Sequence, residues 1–318
     1  MTLKPFPDAS KYVFKEKFIE RYSKLTDWDT FKKYSLSFLR KSIRINTLKI
    51  EVDDCTKRLK DWILEPVPWC KEGFFISHKA GRLDVGNTVE HALGYYYVQE
   101  AASMIPPVVL DPKPGEIVLD MAASPGSKSS QIAQYMENNG LIVANDVKGD
   151  RLAALGINLQ RVGSYNHITT MMQGQQFANA GIVFDKILLD APCSGTGTIR
   201  KSPKTILMWN PDMVRRLSRI QKELIMTAWK ILKPGGTLVY STCSLEPEEN
   251  EGVISHLLEN AKDAKMCDID LKINRTKPVL EFDGKIYHPD VSYCLRLWPQ
   301  DNDTEGFFVA KVMKEELK

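Results

Sequence analysis

Five short apolar runs recur between residues 116 and 242: EIVLDM (116–121), LIVAND (141–146), HITTM (167–171), DKILLD (185–190) and GTLVYST (236–242). Val, Ile and Leu follow one another in them too continuously for strands with one wet face. They predict a parallel sheet buried on both sides, with the intervening stretches 127–137, 149–162 and 211–232 as helices. The turn KPGG (233–236) stops the last helix and starts the fifth strand, and GFFVAKV (306–312) predicts a late antiparallel strand. In such a sheet the site lies outside the carboxyl ends of the strands. Asp120, Asp146, Asp190 and Cys243 stand at those ends, and Cys193 lies three residues past one.

The chain before this region reads differently. Helical patterns around 11–25 and 28–40 precede strand-like pieces at SIRINTL (42–48) and GFFIS (73–77), with turns at Pro66, Pro68 and Gly73. YYYVQEAASMIPPVVL, from Tyr95, reads as a helix approaching the sheet. The expected division is therefore residues 1–95 and 96–318. With 318 residues, 43% of them hydrophobic, there is enough apolar material for two modest domains. No apolar run has signal-peptide or membrane-span length. A soluble, cytoplasmic protein is expected, with no membrane partner.

Six cysteines (Cys55, Cys70, Cys193, Cys243, Cys267 and Cys294) show no CxxC pair, so reduced thiols and no metal site are expected. The net charge is only +3, but it is uneven. Residues 31–50 carry Lys32, Lys33, Arg40, Lys41, Arg44 and Lys49 and no acid. Residues 196–222 carry Arg200, Lys201, Lys204, Arg215, Arg216, Arg219 and Lys222 against Asp212 alone. Two such stripes fit either solvated basic faces or a polyanion footprint.

The loop after the first run is DMAASPGSKSSQ (120–131). It holds one glycine, Gly126, so it is neither GxGxxG nor a Walker loop. Asp146 ends the second run, where a carboxylate can accept from a ribose diol or can simply cap the next helix. An adenosyl cofactor without phosphates fits this loop best.

These blocks carry a resemblance. DMAASPGSK, DAPCSGTG (190–197) and STCSLEPEENE (241–251) resemble the signatures of the NOL1/NOP2/Sun family of RNA 5-methylcytosine methyltransferases. SIRINTLK, YYVQEAAS, KPGG and WPQDNDTEGFFVAK extend it, in order, over about 280 residues. The resemblance implies an α/β fold: a Rossmann-type S-adenosylmethionine-dependent methyltransferase sheet with a small α+β N-terminal RNA-binding domain. It implies S-adenosyl-L-methionine as cofactor and cytosine in RNA as substrate. Ala122, Ala123, Ser124, Pro125, Gly126, Ser127 and Lys128 would surround its methionine part, Asp146 its ribose, with Arg151 nearby. Asp190 would lie between cofactor and base. Cys243 matches the family nucleophile and Cys193 the cysteine that aids product release, with Lys128 beside them. Two positions depart from the pattern: Ser127 stands where glycine is usual, and Gln173 where an aspartate usually approaches the adenine.

The chemistry accounts for two cysteines. Carbon 5 of cytosine is a poor nucleophile until a thiolate adds to carbon 6, and an acid near ring nitrogen 3 favours that addition. Afterwards the carbon 5 proton and the thiol must both leave. An isolated cysteine is more often core, which is the reading for Cys55, Cys70, Cys267 and Cys294. DNA cytosine methyltransferases also carry a Pro-Cys block, but the Thr-Cys block and its flanks argue against them; amino-methylating enzymes carry an Asn/Asp-Pro-Pro-aromatic block, whereas here Ala191-Pro192-Cys193 follows Asp190. An inactive RNA-binding scaffold is the remaining alternative. Among RNAs, tRNA is expected ahead of rRNA, because the short chain resembles the compact family members. Lys41, Arg44, Asn46, Arg200, Arg215 and Arg219 are the expected RNA contacts, with Lys222 at helical spacing from the last two, in a protein expected to act as a monomer.

Overall fold

The structure is a computed structural model and describes residues 3–316. Helices Glu16–Ser23 (α1) and Trp28–Ser35 (α2) come first; Asp27 caps α2 by accepting from the Thr30 N–H. Strands Ser42–Ile45 (β1), Trp62–Val67 (β2), Cys70–His78 (β3) and Tyr96–Val98 (β4) then form an antiparallel sheet in the order β2-β3-β1-β4. Helices Val52–Arg58 (α3) and Val89–Ala92 (α4) fill its connections.

β4 corrects the expected approach helix. Tyr-Tyr-Val favours a pleated, half-buried edge, and β4 pairs with β1 through Arg44↔Tyr97. A 3-10 turn at Ala102–Met104 leads into the α-helix Ile105–Leu110 (α5). A boundary at residue 95 would cut β4 from its sheet, so the first unit extends past Val98.

The large sheet contains Ile117–Asp120 (β5), Leu141–Asn145 (β6), His167–Thr170 (β7), Phe184–Asp190 (β8), Leu232–Thr242 (β9), Ala264–Cys267 (β10) and Phe307–Lys314 (β14). Its order is β10-β14-β9-β8-β5-β6-β7. β5 to β9 run parallel and β14 returns antiparallel against β9. The hairpin Glu281–Phe282 (β11) with Lys285–Ile286 (β12), and Leu295–Leu297 (β13) against β14, complete the strands.

Helices Ser127–Tyr135 (α6) and Gly149–Val162 (α7) join α5 on one face; Lys204–Met208 (α8) leads to Pro211–Ile231 (α9), which with Glu251–Asn260 (α10) covers the other. Strand residues alternate between the two layers. Leu119, Val143, Ile187 and Leu238 meet α9 and α10, whereas Val118, Ile142, Leu188 and Val239 meet α5, α6 and α7. Among the described residues no helix is long and apolar enough to cross a membrane.

α1 and α2 pack away from the small sheet. Phe14, Phe18, Tyr22 and Phe31 join Trp209, Val214 and Trp298 of the large unit. Tyr22 Oη, Trp209 Nε1 and Arg21 Nε all donate to the buried Glu246 carboxylate, at 2.9, 2.7 and 2.7 Å. The N-terminal helices are thereby tied to the segment that carries Cys243.

Candidate active site

The chain runs β5, β6, β7 outward and then returns to β8 on the opposite side of β5. The crevice of such a sheet opens at this reversal, beyond the carboxyl ends of β5 and β8. Asp120 ends β5 and Asp190 ends β8.

The loop Met121–Gly126 turns from β5 into α6. Gly126 sits at φ 101° as the residue before the helix, and a Cβ there would meet Leu155 Cδ1 at 3.0 Å. Ala123 N–H donates to Asn145 O at 2.7 Å. Ser124 Oγ donates to Arg151 O at 2.8 Å, and an Arg151 guanidinium nitrogen donates back to Ser124 O at 2.9 Å. Ser127 is the first residue of α6.

Asp146 follows β6 and is 2% exposed. Its Oδ1 accepts from the Lys148 N–H at 3.1 Å, a turn contact before α7 rather than a cap on the helix itself. Its Oδ2 has no hydrogen-bond donor, with Arg151 at 3.4 Å. This buried oxygen has an ion-pair partner but no hydrogen-bond donor, so it can accept one from a ligand. The loop backbone and this oxygen fit an adenosyl group with its ribose diol. Gln173 stands exposed just before a 3-10 turn over Gly174–Asn179; its backbone N–H donates to Gln176 Oε1 at 2.9 Å and its backbone carbonyl accepts from the Gln176 N–H at 2.9 Å.

On the other side of the crevice, Lys128 Nζ donates to Asp190 Oδ2 at 2.7 Å and Ser241 Oγ to Oδ1 at 2.7 Å. Burial works against the charge on Lys128, but Asp190, with Asp120 behind it, outweighs burial and holds the ammonium above its ordinary pKa. Asp120 is pushed up to about 6 by burial, although Ser129 Oγ donates to it at 2.6 Å.

Cys243 follows β9 and Cys193 follows β8, and their sulfurs lie 3.3 Å apart. Gly197 N–H donates to Cys243 O at 2.9 Å, and Gly306 N–H to Gly197 O at 2.9 Å. A Cβ on Gly197 would meet Gly306 O at 2.2 Å, so only glycine lets these three segments close around the cysteines. The hydrogen bond with Cys243, then burial, raises the Cys193 pKa well above that of an ordinary thiol. Cys55, Cys70 and Cys294 are buried away from this pair, and burial pushes Cys55 and Cys70 up to about 11. Cys267 is half-buried on β10.

Three expected RNA contacts face inward instead. Arg44 is 1% exposed; its guanidinium donates to Gln99 Oε1 at 2.9 Å, Ser130 Oγ at 2.8 Å and Gln134 Oε1. It clamps β1 to α6, the helix that carries Lys128. Asn46 donates to Gly94 O at 2.8 Å and Val162 O at 2.7 Å. Arg200 is buried against the carbonyls of Ser37, Phe38 and Thr304 and pairs with Asp303 at 2.7 Å. A donor already satisfied inside the chain has nothing to offer a phosphate, so these three are structural ties. The basic-stripe reading failed there because charge in sequence does not reveal burial. Lys41, Arg215 and Arg219 are exposed; Lys41 touches Leu83 O, and Arg215 pairs with Asp212. Lys41 borders a groove of about 520 Å³ lined by Phe38, Trp62, Phe75 and Leu83.

Comparison with known proteins decides the family. The family model described as 16S rRNA methyltransferase RsmB/F matches residues 107–313, and the N-terminal domain of 16S rRNA methyltransferase RsmF matches 14–101. The chain belongs to the RsmB/F family. It is accordingly an S-adenosylmethionine-dependent RNA methyltransferase.

The chain is 50% identical over 301 residues to the tRNA (cytosine(49)-C(5))-methyltransferase of Pyrococcus abyssi, covering 94% of this chain and 96% of that one. It is 43% identical to ribosomal RNA small subunit methyltransferase F of Shewanella amazonensis, over 90% of this chain but only 60% of the relative. A crystal structure of a methyltransferase homologue from Pyrococcus horikoshii shares 39% identity with a TM-score of 0.86, covering 97% of this chain and 99% of that one. NSun6 from Pyrococcus horikoshii with SFG shares 25% identity with a TM-score of 0.82, covering 96% and 100%. The Rossmann-type sheet expected from the sequence is the one this RsmB/F-family enzyme has.

Sequence reading missed Ser241, which fixes the second oxygen of Asp190. Its signal was present, since it opens STCS at the end of a buried strand. Asp120 was placed at a strand end but given no role.

Proposed function

We propose that this RsmB/F-family enzyme methylates carbon 5 of cytosine in RNA, with tRNA as the substrate class and Cys243 as the covalent nucleophile. The observation that carries the reading is the pair of sulfurs 3.3 Å apart beside the Lys128–Asp190 ion pair. Two thiols at that separation can act on one base, as a single-cysteine site cannot.

Ala122 to Lys128, Asp146 and Arg151 would hold S-adenosylmethionine, which supplies an electrophilic methyl group when bound. The rest falls to the chain. Cys243 sulfur forms a bond to carbon 6, and the π electrons of the 5,6 double bond move to make carbon 5 nucleophilic. Asp190, fixed by Lys128 and Ser241, would stabilise a proton on nitrogen 3. Once carbon 5 bears its methyl, its proton passes to a base, the double bond reforms and the carbon–sulfur bond breaks. Cys193, next to the attached sulfur, supports this release. A target cytosine must leave its stack to reach the crevice. Exposed Lys41, Arg215 and Arg219 are, among other exposed cations of the two basic stripes, those expected to meet the RNA backbone.

The tRNA assignment is supported by the relative that matches nearly end to end; the rRNA enzymes extend well beyond the matched region. The test is bisulfite sequencing of total RNA after reaction with S-adenosylmethionine, comparing wild type with Cys243→Ala. New protected cytosines in tRNA, present with wild type alone, are expected. Protected sites in rRNA alone would move the substrate, and equal protection by Cys243→Ala would remove the nucleophile.

A further inference from the structure

Cys193 and Cys243 belong to different loops, 50 residues apart in sequence. Strand pairing aligns β8 with β9 only as far as Asp190↔Ser241. Beyond that point a single buried carboxylate spans both loops. Glu249 is 0% exposed. Its Oε2 accepts from the Ser194 N–H at 2.9 Å and from Gln221 Nε2 at 2.9 Å. Its Oε1 accepts from Ser244 Oγ at 3.0 Å.

Ser194 and Ser244 are the residues directly after the two cysteines, and their hydroxyls meet each other at 3.0 Å. Gln221 Nε2 also donates to Pro192 O at 2.8 Å, so the residue before Cys193 is held by the same group. No cation is among the partners of Glu249. Burial pushes its pKa up to about 7. A buried carboxylate without a cation is a poor stabiliser. When ionised it is a good gatherer of donors, because both oxygens then only accept.

We propose that Glu249 is a positioning residue that sets the separation of the two sulfurs by holding, on one carboxylate, the residue that follows each cysteine. The proposal rests on the two-cysteine reading above for its catalytic consequence, but the sulfur separation can be measured without catalysis.

The test uses diamide on the full chain. Diamide oxidises two neighbouring thiols to a disulfide, and their two hydrogens reduce it to the hydrazine. Peptide mapping gives the rate of Cys193–Cys243 cross-linking, and methylation of tRNA gives kcat. Glu249→Gln keeps size but turns an amide donor toward one of the present donors. It is expected to slow cross-linking and to lower kcat, each about tenfold or more, with KM for S-adenosylmethionine unchanged. Ser244→Ala removes one arm and should move both in the same direction by less. An unchanged cross-linking rate in folded Glu249→Gln overturns the proposal. If that variant does not fold, an unchanged rate in Ser244→Ala, which removes the hydroxyl held by Glu249 Oε1, overturns it. Slowed cross-linking in a protein whose wild type methylates no cytosine would uphold the positioning role and overturn the cytosine reading instead.

Discussion

Lys128 Nζ and Asp190 Oδ2 meet at 2.7 Å across the reversal point of the sheet, one from the first turn of α6 and the other from the end of β8. The contact leaves Asp190 held on one side by an ammonium and on the other by Ser241 Oγ. Lys128→Met removes the ammonium while keeping most of the stem. kcat/KM for tRNA should fall roughly 10- to 100-fold, the worth of one charge-assisted hydrogen bond. Steady-state kinetics at constant salt read this, with a thermal melt to confirm the fold. A loss smaller than threefold would mean that Asp190 needs no such partner.

Cys243→Ala should lower methylation by at least about 10³-fold, because the covalent route is closed. A radiolabelled methyl-transfer assay measures it. Residual activity near wild type would return the nucleophile's role to Cys193.

Cys193→Ala should permit attachment and slow release. A protein–RNA species that survives denaturing electrophoresis is expected, and it should vanish in the double variant with Cys243→Ala. No shifted band under turnover conditions would count against the release role.

Asp120 is held at about 6, above the ordinary aspartate value, chiefly by burial. A carboxyl group with a raised folded-state pKa binds protons more tightly folded than unfolded. Its contribution to stability is therefore full below about pH 4 and is lost as pH rises through about 6. Asp120→Asn should abolish that component. The stability difference between variant and wild type should shift in the variant's favour by roughly 2–3 kcal/mol between pH 4 and 7. Urea melts across that range measure it, and a difference flat with pH would refute the assignment.

Arg44 and Lys41 lie close in sequence and should behave oppositely. Arg44→Ala should cost about 3 kcal/mol of folding stability, because it strands buried acceptors at the β1–α6 contact. It should leave the salt slope of RNA binding unchanged. Lys41→Ala should leave the fold intact and reduce that slope by about one. Fluorescence titrations at several salt concentrations, with melts alongside, separate the two. A reduced slope for Arg44→Ala would place its guanidinium on the RNA.

The large sheet was legible because a strand buried on both faces has to be written as a continuous apolar run. Its carboxyl ends then located Asp120, Asp146, Asp190 and the two cysteines without any contact being known. α7 spans the expected 149–162 because its amphipathic pattern is closed by Gly163 at φ 78°. β2 and β4 were not read as strands. Short edge pieces gain their stability from β3 and β1, so little in their own residues marks them.

By itself, then, the sequence determined the layer order of the catalytic sheet, the cofactor loop around Gly126 and the two blocks that carry the cysteines. These are local signals: periodicity, turn chemistry and motif. Only the tertiary structure decided which charges are free. It turned Arg44, Asn46 and Arg200 inward as ties, and gathered Ser194, Gln221 and Ser244 on Glu249 behind the sulfurs. Burial and hydrogen-bond partnership depend on residues distant in the chain, and no window of sequence contains both partners.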